Sequence, residues 1–370
     1  MRGSNRFRGF IRNMDFLLVA LILIAATFGI VMISSAGGEN GVRYVIVQTV
    51  ALILGSIGVC VLMVLDYEYL SRISLYLSGA CLLLLLLVLI PGIGKVENGA
   101  RSWFVLGPLS LQPAEIAKIV FIIVFAKELS ENEDRINDIR VLARVLLYAV
   151  VPIILILMQP DFGTAVVFVC ITVTMLFVAG INWKYIAGGI SALIVAGPIA
   201  WFFFLKDYQK ARIINLFNPE NDPSGTGYHV IQSKIAAGSG RIFGSGLYKG
   251  SSQINNLLPE RHTDFIFSVV CEELGMIGGV LVILLIAAII IRTIYIGINA
   301  RNSLGTYICM GVAAMLIFQS FENIGMCIGL FPVTGITLPF FSYGGSSMLT
   351  TLITMGLVLN VKHKSRMINF

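Results

Sequence analysis

Apolar runs of about twenty residues recur along this 370-residue chain, and no other feature limits its fold so sharply. A helix needs about 20 mostly apolar residues to cross a bilayer. Ten segments meet that requirement, at roughly 15–35, 43–65, 72–91, 113–129, 141–159, 162–181, 184–205, 264–292, 304–330 and 338–361. Asp66-Tyr67-Glu68 alone divides the second from the third, and Gln159-Pro160-Asp161 the fifth from the sixth, so each pair is antiparallel. The fourth and ninth contain charged residues. Only 12% of the chain is charged and 57% is hydrophobic, against about 25% and 45–50% in soluble domains. A soluble monomer is excluded. The spacing predicts an all-α polytopic membrane protein of about ten helices, a single domain over 1–370 with 206–263 as a large extracytoplasmic loop.

The net charge of +6 could suggest nucleic acid, but many basic residues flank the apolar runs. The N-terminal arm carries Arg2, Arg6, Arg8 and Arg12, the segment after the fourth run Lys127, Arg135, Arg140 and Arg144, and the tail Lys362, Lys364 and Arg366. With ten spans these share a side with both termini, which is therefore expected to be cytoplasmic. The first run is too long for a signal-peptide core and a second span follows at once, so it reads as an uncleaved anchor. That topology places 92–112, 159–161 and 206–263 outside. The last holds seven basic residues, Lys206, Lys210, Arg212, Lys234, Arg241, Lys249 and Arg261, a surface suited to anions. The six cysteines form no CxxC pair and read as packing residues.

An ionisable group in a bilayer costs several kcal/mol, so each marks a candidate site. Glu115 and Lys118 stand three residues apart where the fourth run opens, either a structural ion pair or the wall of a water-filled cavity. Asp161 precedes the sixth run and could cap its helix, serve function, or do both. Glu322 and Asn323 interrupt the ninth. Asp264, in Leu258-Pro259-Glu260-Arg261-His262-Thr263-Asp264-Phe265-Ile266-Phe267, stands where the long loop enters the eighth run. There a carboxyl could be kept partly desolvated, which raises its pKa toward proton-transfer range. A helix cap is the structural alternative, and Glu272 and Glu273 form a separate puzzle. The stretch Gly238-Ser239-Gly240-Arg241-Ile242-Phe243-Gly244-Ser245-Gly246 fits neither nucleotide-loop spacing and instead suggests tight turns or close backbone approach. Pro332, Gly335, Pro339, Gly344 and Gly345 suggest irregular backbone between the last two spans.

These motifs resemble those of the SEDS family (shape, elongation, division and sporulation). The resemblance rests on Gln112-Pro113-Ala114-Glu115, Gln159–Thr164, Asn218-Pro219-Glu220, Gly227-Tyr228-His229, 258–267, Glu272–Gly275, Phe331–Gly335 and Leu338–Ser347. It covers nearly the whole chain in order, and Asn323-Ile324-Gly325-Met326 and the 258–264 motif look closer to the elongation (RodA) branch than to the division (FtsW) branch. Family membership implies a ten-helix fold and a peptidoglycan glycosyltransferase that polymerises lipid II into β-1,4 glycan at the outer face of the bacterial cytoplasmic membrane. It implies Asp264 as the essential acid, Glu115, Lys118 and Asp161 as polar cavity residues, and Arg101 and Trp103 as a further outer-loop motif. Thr263 joins the expected substrate-contacting residues through the 258–267 motif.

The chemistry expected from that resemblance is inversion by single displacement. Asp264 would take the proton of the acceptor 4-hydroxyl, and Lys118 and Arg101, then Arg212 and Arg241, would hold the pyrophosphate. A divalent cation (Mg or Mn) ligated by Glu115 or Asp161 could share that task; no organic cofactor is expected. The expected partners are lipid II, nascent glycan, a class B penicillin-binding transpeptidase and other elongation-complex membrane proteins. Rival readings are a division-type polymerase, a lipid II flippase and a scaffold. No inverted repeat supports transport.

Overall fold

The computed structural model describes residues 14–97, 99–106, 109–203, 207–222, 225–251 and 257–366. Arg2, Arg6, Arg8, Arg12 and Lys206 lie outside these residues, so the basic N-terminal arm and one loop cation have no structural account. Helices occupy all ten expected segments: α1 (Phe16–Ala36), α2 (Gly41–Val64), α4 (Ser74–Leu87) after the short α3 (Tyr67–Arg72), α5 (Pro113–Glu131), α6 (Ile139–Met158), α7 (Phe162–Val178), α8 (Trp183–Phe203), α11 (Ile266–Ile298), α12 (Ser303–Cys327) and α13 (Gly345–Arg366). Among the described residues, six of these, α1, α2, α6, α8, α11 and α12, are long and apolar enough to cross a membrane unaided, and α4 and α7 are shorter apolar helices. Two more, α9 (Asp207–Phe217) and α10 (Thr226–Ser239), lie within the long loop.

The centre of the bundle is α12, whose residues are mostly buried all round although it carries Glu322 and Asn323. A helix buried on every side must meet its neighbours closely. Gly311 allows this: a Cβ there would stand 2.8 Å from Met175 Sδ on α7 and 3.0 Å from Ile122 on α5. The opposite flank is the α2–α13 pair, where Asn360 of α13 donates to the carbonyls of Leu62 and Leu65 and so ties down the end of α2. Near the termini, Arg292 of α11 grips the capping carboxylate of Asp15 through both of its oxygens, at 2.8 and 3.2 Å.

The all-α bundle carries a small sheet, at 95–111. Here β1 (Lys95–Glu97), β2 (Ala100–Leu106) and β3 (Leu109–Leu111) form an antiparallel sheet in the order β1-β2-β3. Gly99, at φ +86°, turns β1 into β2. Val96, Trp103, Phe104 and Val105 supply the strand-forming side chains, and Ser346 Oγ fastens the sheet to α13 through the Ser110 carbonyl at 2.6 Å.

Span boundaries also move, at two places with consequences for the site. The eighth helix starts at Ile266, not 264, and Gly275 breaks it at φ 70°, ψ −166°. The tenth starts at Gly345, because 331–344 is irregular backbone rather than helix.

Candidate active site

One end of the bundle, where α1 ends and α5, α7 and α13 begin, gathers most of the chain's buried polar chemistry. Pro113 occupies the first turn of α5, where its missing N–H is no loss, and Glu115 and Lys118 follow on one face. Lys118 Nζ lies 2.7 Å from Glu115 Oε1, and Thr350 Oγ1 of α13 donates to Glu115 Oε2 at 2.9 Å. Asp161 caps α7 by accepting from the Thr164 amide at 3.1 Å and its hydroxyl at 2.9 Å, while Gln112 Nε2 donates to it at 3.1 Å. Burial raises the Asp161 carboxyl above its ordinary range, against those hydrogen bonds and the field of Lys118. Glu322 of α12 lies within the electrostatic reach of Asp161 and Lys118, with Thr334 beside it. Both the ion-pair and the cavity expectations for Glu115 and Lys118 are therefore compatible with this cluster, and the cap expected at Asp161 is present.

The 331–344 segment carries this polar floor to Asp264. A Cβ on Gly163 would stand 2.9 Å from Thr334 Cβ, and one on Gly335 (φ +80°) would stand 3.6 Å from Asp264 Oδ2. Beneath it, Asn323 Nδ2 donates to the Asp264 carbonyl at 2.8 Å and to the Ile336 carbonyl at 2.6 Å. Sequence reasoning noted Asn323 beside Glu322 and in the 323–326 pattern without a structural role; it is a clamp between the two segments that face each other across the site.

The turn bearing Asp264 is fixed from several sides. The Glu260 carbonyl accepts from the amides of Thr263, Asp264 and Phe265 at 3.1–3.2 Å, and Glu260 itself sits at φ 49°, a sparsely populated conformation. Arg261 Nε donates to the Ala36 carbonyl at 2.6 Å, His262 stacks on Tyr44 at 4.4 Å, and the Tyr343 amide donates to the His262 carbonyl at 2.9 Å. Asp264 is not a helix cap. The cap position of α11 is Phe265, with no side-chain capping bond. Its carboxyl is pushed up to about 7, first by burial and then by the nearby Glu260 carboxylate, while the Thr263 hydrogen bond and the Arg212 charge pull the other way. A carboxyl titrating there is a proton acceptor suited to neutral pH.

The second acidic pair has a different employment. The helix break at Gly275 frees backbone groups on both sides, and the glycine-rich stretch satisfies them. Met276 and Ile277 amides donate to the Arg241 and Ile242 carbonyls at 2.8 and 3.4 Å, and Ser245 and Gly246 amides donate to the Glu272 and Glu273 carbonyls at 3.0 and 2.9 Å. Such pairing is what buried backbone requires. Ser35 Oγ donates to both Glu273 oxygens at 2.6 and 2.7 Å, and Ser251 Oγ to Glu272 at 2.8 Å. Since Arg261 binds Ala36 and Glu273 binds Ser35, both ends of the 261–273 stretch lie level with the end of α1.

Comparison with known proteins now decides the family. Residues 15–367 match the model of the FtsW, RodA and SpoVE cell cycle proteins. The chain belongs to this family, the SEDS proteins. It is 39% identical to stage V sporulation protein E of Bacillus subtilis over 95% of this chain and 98% of that one. A probable peptidoglycan glycosyltransferase FtsW of Trichlorobacter lovleyi is 37% identical, over 94% and 92%. A chain from a peptidoglycan synthase complex that coordinates polymerization and crosslinking superposes with TM-score 0.83 at 35% identity, over 96% and 99%. The rod shape determining protein RodA of Thermus thermophilus gives 0.72 at 33%, over 96% and 98%.

Within this SEDS fold the expected cations divide. Lys118 stands in the polar floor and Arg212 acts on Asp264. Arg101 instead reaches from β2 to the Leu89 carbonyl at 3.2 Å, and Trp103 pairs with Lys95 in the sheet, so both shape the hairpin over this end. Arg241 uses its carbonyl to seal the Gly275 break, with an exposed side chain. Thr263 donates to the Glu260 carbonyl and carboxylate, both at 3.1 Å. The metal expectation fits the donors poorly: Glu115 is held by an ammonium and a hydroxyl, and Asp161 by Thr164 and Gln112. Among the described residues, no three His, Cys, Asp or Glu side chains are grouped to hold an ion. Gln112 and Thr334 lie inside the motifs quoted above but were given no role, and Thr350 lies outside them; none carries a charge, and their contacts with Asp161, Glu322 and Glu115 show their part.

Proposed function

We propose that this SEDS protein is a peptidoglycan glycosyltransferase that polymerises lipid II into β-1,4 glycan, with Asp264 as general base. The observation that carries the reading is a carboxyl held in a rigid turn, uncapped, poised near neutrality and facing Gly335. Both the FtsW relative's name and the synthase complex's polymerization agree with it.

The reaction needs three things from the chain. The acceptor sugar's 4-hydroxyl must lose its proton as its oxygen attacks the donor's anomeric carbon; Asp264 takes that proton. The bond from that carbon to the pyrophosphate breaks, and the leaving oxygen takes the electron pair, so cations must meet the developing charge. Lys118, and Arg212 of α9, serve there, while Arg101 and Arg241 are assigned to the scaffold. Attack opposite the leaving group inverts the α-linked donor to a β product. Glu115 and Asp161 orient the cavity's donors, and no step is routed through a metal.

In this reading the end bearing Asp264 faces outward, both termini lie in the cytoplasm, and the membrane is the bacterial cytoplasmic membrane. The partner is a class B penicillin-binding transpeptidase, for which the crosslinking function of the synthase complex is the support. We assign the elongation role on the 323–326 pattern, with division-type relatives also among the matches. The test is gel-resolved polymerisation of labelled lipid II by purified wild type and Asp264→Asn, with and without a partner transpeptidase. Glycan from wild type only supports the reading; equal glycan from both removes the base, and leaflet exchange without glycan from wild type replaces the enzyme by a transporter.

A further inference from the structure

A chamber in the side of the bundle, reaching down toward the end shared with the termini, is used by none of the chemistry above. It has a volume of about 380 Å³ and lies between α4, α5 and α6. Leu75, Gly79 and Leu82 line it from α4, and Ala117, Phe121 and Val124 from α5. From α6 come Arg144, Leu147, Tyr148, Val151 and Pro152. Its space comes from small residues: a Cβ on Gly79 would meet nothing within 4 Å.

The chamber's shape matches one half of a membrane. From Arg144 to Pro152 is eight residues of helix, about 12 Å at 1.5 Å per residue, close to one leaflet of a hydrocarbon core about 30 Å thick. Arg144, its only charged lining residue among those described, stands at the end shared with the chain's termini, and the walls deeper in are mostly apolar. Arg144 is exposed and closes no ion pair with a described residue. Glu128, the acid whose field it shares, takes its hydrogen bond from Tyr148. An arginine on a lipid-facing helix surface extends toward the headgroup layer and meets phosphate there.

We infer that this chamber is a binding site for one anionic glycerophospholipid of the leaflet on that side, its phosphate on Arg144 and one acyl chain against Gly79, Phe121 and Val151. The interfacial cation, the leaflet-length apolar walls and the opening toward lipid together favour this occupant over a water-filled or protein-filled cavity. The inference is independent of the role of Asp264.

The test is native mass spectrometry of the full chain, extracted from vesicles of phosphatidylglycerol and phosphatidylcholine in equal parts. Wild type should retain one phosphatidylglycerol in preference to phosphatidylcholine. Arg144→Gln should lower that retention about tenfold, the value of one charge-assisted contact. Gly79→Phe, which fills the chamber while leaving the arginine, should abolish it. Monodisperse elution of each variant confirms folding. Equal retention of the two lipids, or retention untouched by either substitution, overturns the site; loss in Gly79→Phe but not Arg144→Gln overturns the anionic assignment.

Discussion

Asp264 and Glu273 lie nine positions apart on one stretch of chain, level with the same end of α1, yet the protein treats them in opposite ways. Glu273 is wrapped in donors: the Ser35 hydroxyl on both oxygens, with the Tyr248 and Gly250 amides as well. Asp264 receives a hydrogen bond from Thr263 and faces an acid, Glu260, that discourages its charge. A carboxylate that builds structure is satisfied in the folded chain. One that moves protons is left short of partners, and the fold bears that expense through Asn323 and the Glu260 turn.

The contrast breaks first at Asp264→Asn. The amide is nearly isosteric but cannot accept the proton, so polymerisation should fall about 10²–10⁴-fold, the usual worth of a positioned base. Stability should move the other way. A carboxyl raised from 3.8 to about 7 favours the folded state while protonated and opposes it progressively as pH rises between those values. Thermal melts of the variant should therefore match wild type at pH 4 and exceed it at pH 8. An active Asp264→Asn protein, or one destabilised at pH 8, would erase the distinction between the two acids.

Asn323→Leu sharpens it by attacking the support rather than the base. It removes both donations, to the Asp264 and Ile336 carbonyls, and leaves those acceptors buried. We expect turnover to drop about tenfold and stability by about 2 kcal/mol, with the pH at half-maximal rate unchanged because the carboxyl's charged neighbours remain. Steady-state rates across pH, beside melts of the same preparation, separate this positioning role from loss of the base.

How much of this was legible beforehand depends on the distance over which each residue's meaning is set. The ten helices were, because lipid forces every span to declare itself in a local apolar run. Asp264 was as well, since a lone acid before such a run is conspicuous whatever it touches. The break at Gly275 was not. Glu272-Glu273-Leu274-Gly275 reads as continuing helix, and the groups that reward the kink, the Arg241 and Ile242 carbonyls, come from more than thirty residues upstream. For the same reason the structural contacts of Arg101 and Arg241, a carbonyl beyond the end of α4 and a broken helix, could not be read from their own neighbourhoods. The 95–111 sheet escaped because its strands are short and were subsumed in an outer loop.

Glu273→Ala tests the structural half. Its loss strands the Ser35 hydroxyl and the Gly250 amide and leaves the Tyr248 amide with the Ser35 oxygen alone, so the chain should lose about 2–4 kcal/mol of stability. The molecules that remain folded should retain specific activity within about threefold, because the Asp264 turn keeps its bonds to Ala36, Tyr343 and Asn323. Activity per folded molecule, with folded protein quantified by size-exclusion chromatography, is the measurement. A loss as deep as that of Asp264→Asn would make Glu273 part of the chemistry.

The smallest expected effect tests the electrostatic account most directly. With Asp264 near 7, the rate should climb about tenfold per pH unit below neutrality and level above it, since only the ionised base acts. The Glu260 carboxylate raises that value, so Glu260→Gln should slide the rising limb to lower pH by about one unit, leaving the plateau nearly intact. At pH 6 the variant would then outpace wild type. Arg212 pulls the carboxyl down, and Arg212→Gln should displace the limb upward. Its plateau should fall too if Arg212 meets the pyrophosphate, whereas Glu260→Gln touches no leaving group. Opposite shifts from the two variants, with a lower plateau in one alone, are the signature of a proton acceptor set between an acid and a base. Coincident limbs would mean that the titrating group controlling the rate lies elsewhere in the polar floor, with Asp161 and its raised carboxyl the next to be replaced.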